Sequence, residues 1–316
     1  MSAIGLLFPG QGAQTMGMGQ NLAETYSAAR EVFDAANEAL GLALDRLCFD
    51  GPPEELSRTD IAQPAILTVS VAVLRAMAQA GGRAPEARAS AGLSLGEYTA
   101  LVAAGAMEFR EAVQLVRHRG LWMQEACEEN PGTMCSIIGL EDAQVEQACQ
   151  TARERTGSGV WPANYNCPGQ LVVSGQEAAV QAAAQLCTEL GARRTIRLDV
   201  AGGFHTQLMK PAAERLAAAL AGAHIRRPDH PIVSNVTGQP TEDPKEIGRL
   251  LVQQITSPVR WADSMRWFID QGVEHYYEVG PGRVLRGLLK RTDASKTCLS
   301  VSNVQHVLTY AERERR

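Results

Sequence analysis

The chain has 316 residues, 45% of them apolar, 5% aromatic and 21% charged, with a formal net charge of −5. That balance suits one large or two modest soluble globular domains and excludes a disordered or collagen-like chain. The charge is split unevenly: residues 1–160 carry 11 Lys/Arg against 20 Asp/Glu, a net −9, and residues 161–316 carry 19 against 15, a net +4. Neither half is basic enough for non-specific nucleic-acid binding, so no nucleic-acid partner is expected. The seven cysteines (Cys48, Cys127, Cys135, Cys149, Cys167, Cys187, Cys298) are odd in number and form no Cys-x-x-Cys pair. Reduced thiols and a cytoplasmic location are expected, and no metal site. The first ten residues show neither a charged leader nor a full signal core. The longest apolar run, near Ala65–Leu74, is too short to span a bilayer, so no membrane association is expected.

Ile4–Phe8 is an apolar run that stops at Pro9-Gly10, the pattern of a buried strand entering a glycine-rich turn. Asn21–Leu40 and Asp60–Gln79 have helical spacing, the second with Pro64 near its first turn. Arg88–Ala91 predicts a short strand leading into Gly92. Ser94–Ala104 then predicts a helix closed by Gly105, and Phe109–Glu128 another helix. Short strands alternating with long helices indicate an α/β protein with a largely parallel sheet. The middle of the chain differs. Thr133–Ile138, Val160–Asn164, Leu171–Ser174 and Arg194–Leu198 are strand-like, with helices at Asp142–Arg155 and Glu177–Leu190. That βαββαβ order is the ferredoxin-like pattern. The chain is therefore expected to comprise an α/β-hydrolase-like large domain (1–130 and 202–316) with an inserted ferredoxin-like subdomain (131–201), the active site lying in the cleft between them. A charged tail at Glu312–Arg316 is expected to fray.

Gly92-Leu93-Ser94-Leu95-Gly96 fits G-x-S-x-G, a nucleophile elbow between strand and helix. The alternative use of Ser94 is as a helix N-cap. A serine needs a base. Among six histidines, His205 in A-G-G-F-H-T stands at a loop-to-helix position, where reactive side chains are often presented. The segment Gly10–Gly19 fits neither a Walker loop nor G-x-G-x-x-G, so no nucleotide cofactor is expected. Gly280-Pro281-Gly282 and the basic run Arg283, Arg286, Lys290, Arg291 read either as a turn and solvated helix or as an anion site.

Seven motifs in order carry a resemblance: F-P-G-Q-G (Phe8–Gly12), G-L-S-L-G-E-Y (Gly92–Tyr98), R-G-L-W-M-Q-E-A (Arg119–Ala126), N-Y-N-C-P-G-Q (Asn164–Gln170), G-G-F-H-T-Q-L-M-K-P-A (Gly202–Ala212), S-P-V-R-W (Ser257–Trp261) and E-V-G-P-G-R-V-L-R-G-L (Glu278–Leu288). The sequence resembles the malonyl-CoA:acyl carrier protein transacylase family across nearly its whole length. The resemblance implies ping-pong malonyl transfer from malonyl-CoA to a holo acyl carrier protein, in fatty-acid or polyketide synthesis. It implies Ser94 as nucleophile and His205 as base, the latter oriented by the backbone carbonyl of Gln254, whose side chain is expected to be idle in that task. It implies an oxyanion hole at the Gln11 and Leu95 N–H groups, and Arg119 as the grip on the malonyl carboxylate. Phe204 and Met123 would line the substrate pocket, with Phe204 filling the space of an α-methyl. Arg117 is read as structural. No cofactor is implied beyond the phosphopantetheine of the substrates, and a monomer is expected. The sequence departs from the family at Leu93, where a histidine is usual. The alternative activity is hydrolysis of acyl thioesters on stalled carriers. Arg193, Arg194 and Arg197, with Arg283–Arg291, are expected to give anionic partners a local docking field.

Overall fold

A computed structural model describes residues 4–314. The strands, in chain order, are β1 (Ile4–Phe8), β2 (Ala89–Gly92), β3 (Thr133–Ile138), β4 (Val160–Cys167), β5 (Gln170–Gly175), β6 (Arg194–Arg197), β7 (Ile232–Val233), β8 (Pro240–Thr241), β9 (His275–Val279) and β10 (Thr297–Val301). They form two sheets. The larger has the order β10-β9-β1-β2-β7-β8 and is parallel except for the β7–β8 pair. β1 lies at its centre, which explains a strand apolar on both faces.

The smaller sheet has the order β4-β5-β3-β6 and is antiparallel. Helices Asp142–Thr156 and Glu177–Glu189 complete it, and their apolar faces close a separate core with Ile137, Val160, Leu171 and Val173. Numbered within the unit, the strand order is 2-3-1-4, the ferredoxin-like arrangement. The edge of the small sheet pairs with the segment after helix Pro244–Gln254: Val259 N–H donates to Ala163 O at 2.8 Å and Tyr165 N–H to Val259 O at 2.9 Å. The motif Ser257–Trp261 thus ties the β4 edge to the chain leaving helix Pro244–Gln254.

Several elements differ from the sequence expectation. The helix predicted over Asn21–Leu40 is two helices, Gln20–Thr25 and Ser27–Leu40, broken at Tyr26, whose extended backbone accompanies a buried side chain. Helix Thr59–Gly81 starts early enough to put Pro64 in its second turn rather than its first. It is the one helix among the described residues long and apolar enough to cross a bilayer, and its apolar window is 83% buried within the fold. Short helices at Leu44–Asp50 and Pro53–Leu56 lie in a stretch for which no element is named from the sequence. At the C-terminus Val304–Glu314 is helical; residues 315 and 316 of the tail expected to fray, like Met1–Ala3, lie outside the described residues. The seven cysteines are free, six of them buried.

Candidate active site

β2 is built of Ala, Ser, Ala and Gly because the elbow helix, Gly96–Ala103, packs directly behind it. A Cβ on Gly92 would fall 1.8 Å from the Gly96 carbonyl carbon, and one on Gly96 would fall 2.3 Å from Phe8 O. Both glycines are required by this close approach. The helix begins at Gly96, so Ser94 precedes it in the turn, with φ of 52°, rather than opening the helix. His205 has φ of 60°. These are the two non-glycine residues with positive φ among the described residues. Such strain persists only where surrounding bonds impose it, and it concentrates at reactive sites.

Ser94 Oγ lies 2.9 Å from His205 Nε2, and His205 Nδ1 lies 2.9 Å from Gln254 O. A carbonyl can only accept, so Nδ1 carries the proton and Nε2 is free to accept from the serine hydroxyl. Burial pushes His205 down to about 4, against the raising effect of the Gln254 carbonyl and assisted by the Arg119 charge. The imidazole is therefore neutral, as a base must be, throughout the neutral range.

Arg119 is 1% exposed. It donates to Gln63 Oε1 at 2.5 Å, to Ser94 Oγ at 3.0 Å and to Gln254 Oε1 at 3.0 Å, while its Nε–H is buried without a partner. Its hydrogen-bond partners are thus all neutral. Its face also lies over the Tyr98 ring, 5.6 Å from the centroid. A buried cation with a spare donor and no carboxylate in contact is costly unless an anionic ligand completes it. Arg117, by contrast, is partly exposed and sits 3.9 Å from Asp60.

These groups open into a cleft of about 640 Å³ between the two sheets. Gln11, Leu95, Phe204 and Met123 line it as well. The Gln11 and Leu95 N–H groups make no hydrogen bond to another described residue, whereas Ser94 N–H is taken by Asn235 Oδ1 at 2.7 Å. Gln63 and Met123 also touch, through Nε2–H to Sδ at 3.7 Å. Leu93 lines the cleft, half-buried, with its N–H on Phe8 O. The opposite wall is the inner face of the small sheet, from which Ser136 and Asn166 face the cleft; both are buried, and Ser136 Oγ and Asn166 Oδ1 have no partner.

The Gln254 side chain holds groups other than His205. Fully buried, it accepts from Arg119 and donates to Ser94 O at 3.0 Å and to Glu97 Oε2 at 2.7 Å. Glu97, Asn235, Gln63, Ser136 and Asn166 escaped the sequence-based expectations. Glu97 and Asn166 fall inside quoted motifs, the one signal that could have raised them. The other basic cluster stays on the surface: Glu278 accepts from Leu285 N–H and Arg286 N–H, so a protein carboxylate already occupies the N-terminus of helix Val284–Thr292.

Residues 6–311 match the family of acyl transferase domains. The malonyl CoA-acyl carrier protein transacylase of Escherichia coli is 47% identical over 291 residues, covering 92% of this chain and 93% of its own. That of Bacillus subtilis is 44% identical over 307 residues, covering 97% and 96%. The chain belongs to the malonyl CoA-acyl carrier protein transacylase family. Solved structures agree. The transacylase of Coxiella burnetii superposes with a TM-score of 0.95 at 38% identity, over 100% of this chain and 98% of its own. A malonyl-transacylase in complex with its type II polyketide-synthase acyl-carrier protein gives 0.94 at 40% identity, over 99% and 100%.

Proposed function

We propose that this transacylase moves a malonyl group from malonyl-CoA to the phosphopantetheine thiol of an acyl carrier protein, in fatty-acid or polyketide synthesis. Ser94 Oγ attacks the thioester carbonyl as His205 Nε2 takes its proton. The carbon–sulfur bond breaks, the proton passes to the departing thiolate of coenzyme A, and a malonyl ester remains on Ser94. The carrier thiol then gives its proton to His205 and attacks the ester, returning the proton to Ser94 Oγ. The negative charge on the carbonyl oxygen in both steps would be met by the Leu95 and Gln11 N–H groups, which have no competing partner.

The observation that carries the substrate choice is Arg119, a buried cation with only neutral partners, hydrogen-bonded to the nucleophile itself. A free carboxylate on the acyl group completes it; a neutral acyl chain does not. Phe204 takes up space an α-methyl would need, so malonyl is preferred to methylmalonyl by about 1–3 kcal/mol. Ser136 and Asn166 offer partners to the amides of the pantetheine arm. The exposed Arg193, Arg194, Arg283, Arg286 and Lys290 would draw anionic partners.

One chain carries all the reacting groups, which supports a working monomer, and the free cysteines support a cytoplasmic location. We read the chain as a large domain, 1–130 with 202–316, and a ferredoxin-like subdomain, 131–201; the separate apolar core of the small sheet supports that division. Incubation with malonyl-CoA and holo carrier protein tests the reaction: malonyl should reach the carrier through a Ser94 adduct seen by intact mass, and transfer that persists in Ser94→Ala would refute it.

A further inference from the structure

Beneath the nucleophile lies a buried carboxylate that the reaction above does not use. Glu97 is 4% exposed, sits in the first turn of the elbow helix and does not line the cleft. Its Oε2 accepts from Gln254 Nε2–H at 2.7 Å and from Asn235 N–H at 3.2 Å. Asn235 in turn brackets the elbow, accepting from Ser94 N–H at 2.7 Å and donating to Gly92 O at 2.7 Å. Gln254 reaches every reacting group: its carbonyl holds His205, its Oε1 holds Arg119, and its Nε2 donates to Ser94 O. A side-chain amide can sit either way round, and only the way with nitrogen toward Glu97 leaves an acceptor for Arg119.

We propose that Glu97, as an acceptor-only carboxylate, is a positioning residue that fixes the Gln254 amide and the Asn235 backbone, and through them aligns Ser94 and Arg119. The inference rests in part on the reading that Arg119 receives the malonyl carboxylate. The charged and titratable groups facing Glu97 are Arg119 from helix Phe109–Glu129 and Tyr98 beside it on its own helix. The Ser234 hydroxyl also faces it. Burial raises Glu97 to about 7, although Gln254, Asn235 and Arg119 act to lower it. Protonation below that value leaves Oε2 a neutral carboxyl oxygen, a weaker acceptor for both N–H groups than a carboxylate. The hold on Gln254 and Asn235 is therefore weakened as pH falls through about 7, well above the His205 transition near 4.

The test is the rate of Ser94 acylation by malonyl-CoA and acetyl-CoA across pH, in wild type, Glu97→Gln, Glu97→Asp and Arg119→Ala. In Glu97→Gln the malonyl rate should fall by up to about 100-fold, the malonyl-to-acetyl ratio should fall by about tenfold, and the transition near pH 7 should disappear. Equal losses on both substrates with the pH 7 transition intact would overturn the proposal. If Arg119→Ala leaves the ratio unchanged, the carboxylate reading of Arg119 has failed, and the pH transition alone then decides on Glu97. Should Glu97→Gln not fold, Glu97→Asp decides: the transition must move with the substituted carboxyl, and an unmoved transition would overturn the proposal.

Discussion

The two walls of the cleft use their polar atoms in opposite ways. On the wall of the six-stranded sheet, Ser94, His205, Arg119 and Gln254 are joined in one continuous hydrogen-bond network, and two of them sit in strained backbone. On the wall of the four-stranded sheet, Ser136 Oγ and Asn166 Oδ1 are buried and unpaired. The side chains that carry out the reaction are oriented beforehand by bonds within the protein, while the Gln11 and Leu95 N–H groups and Arg119 Nε–H beside them are left open for substrate. Groups that receive a ligand's amides must be left open until it arrives, and an unpaired buried polar atom marks such a place.

Substitutions on the two walls should therefore fail differently. On the reaction wall, Ser94→Ala removes the acyl adduct altogether, and His205→Ala slows its formation by about 10²- to 10⁴-fold, measured by intact mass and single-turnover kinetics. Arg119→Ala should cost malonyl-CoA about 10²- to 10³-fold in kcat/KM while sparing acetyl-CoA, since a buried charged contact contributes about 2–5 kcal/mol. Equal losses would make the arginine a scaffold element. On the recognition wall, Ser136→Ala with Asn166→Ala should raise KM for malonyl-CoA by about fivefold and leave kcat alone. A fall in kcat at constant KM would erase the distinction between the walls. At the junction, Leu93→His should keep transfer within about tenfold of wild type, because residue 93 makes only backbone hydrogen bonds.

Stability separates the two titrating groups of the reaction wall. Glu97 goes from 4.5 in the unfolded chain to about 7 in the fold, so the native state holds its proton more tightly and stability falls as pH rises between those values. His205 goes from 6.5 to about 4, so its contribution rises with pH over that window. Glu97→Gln removes the first effect and keeps the second. Its Tm relative to wild type should therefore climb between about pH 5 and pH 8.

Much of this was legible in the sequence because the signals were local. G-x-S-x-G states its own geometry, and the four strands and two helices of the small sheet follow from short-range pattern, with Thr133–Ile138 matching to the residue. The nucleophile and its base could be named because family motifs surround them. The supporting groups could not. Asn235 acts on Ser94 from 141 positions away and Gln254 on Arg119 from 135, and nothing in either neighbourhood announces a long-range hydrogen bond. The break at Tyr26 and the two short helices after Leu40 depend on burial against helix Thr59–Gly81, which periodicity alone does not express.

The register of β1 has a consequence for how the chain is made. Ile4 stands opposite His275 on one side, and Gly5 opposite Ala89 on the other. The small antiparallel sheet has all its strands once residue 197 has been synthesised, whereas the central strand of the large sheet waits for β9 with one edge unpaired until residue 279 has been made. Long-range parallel pairing is slow, and an open strand edge invites the wrong neighbour. The nascent chain thus acquires its recognition wall first and closes the sheet that supports its chemistry last.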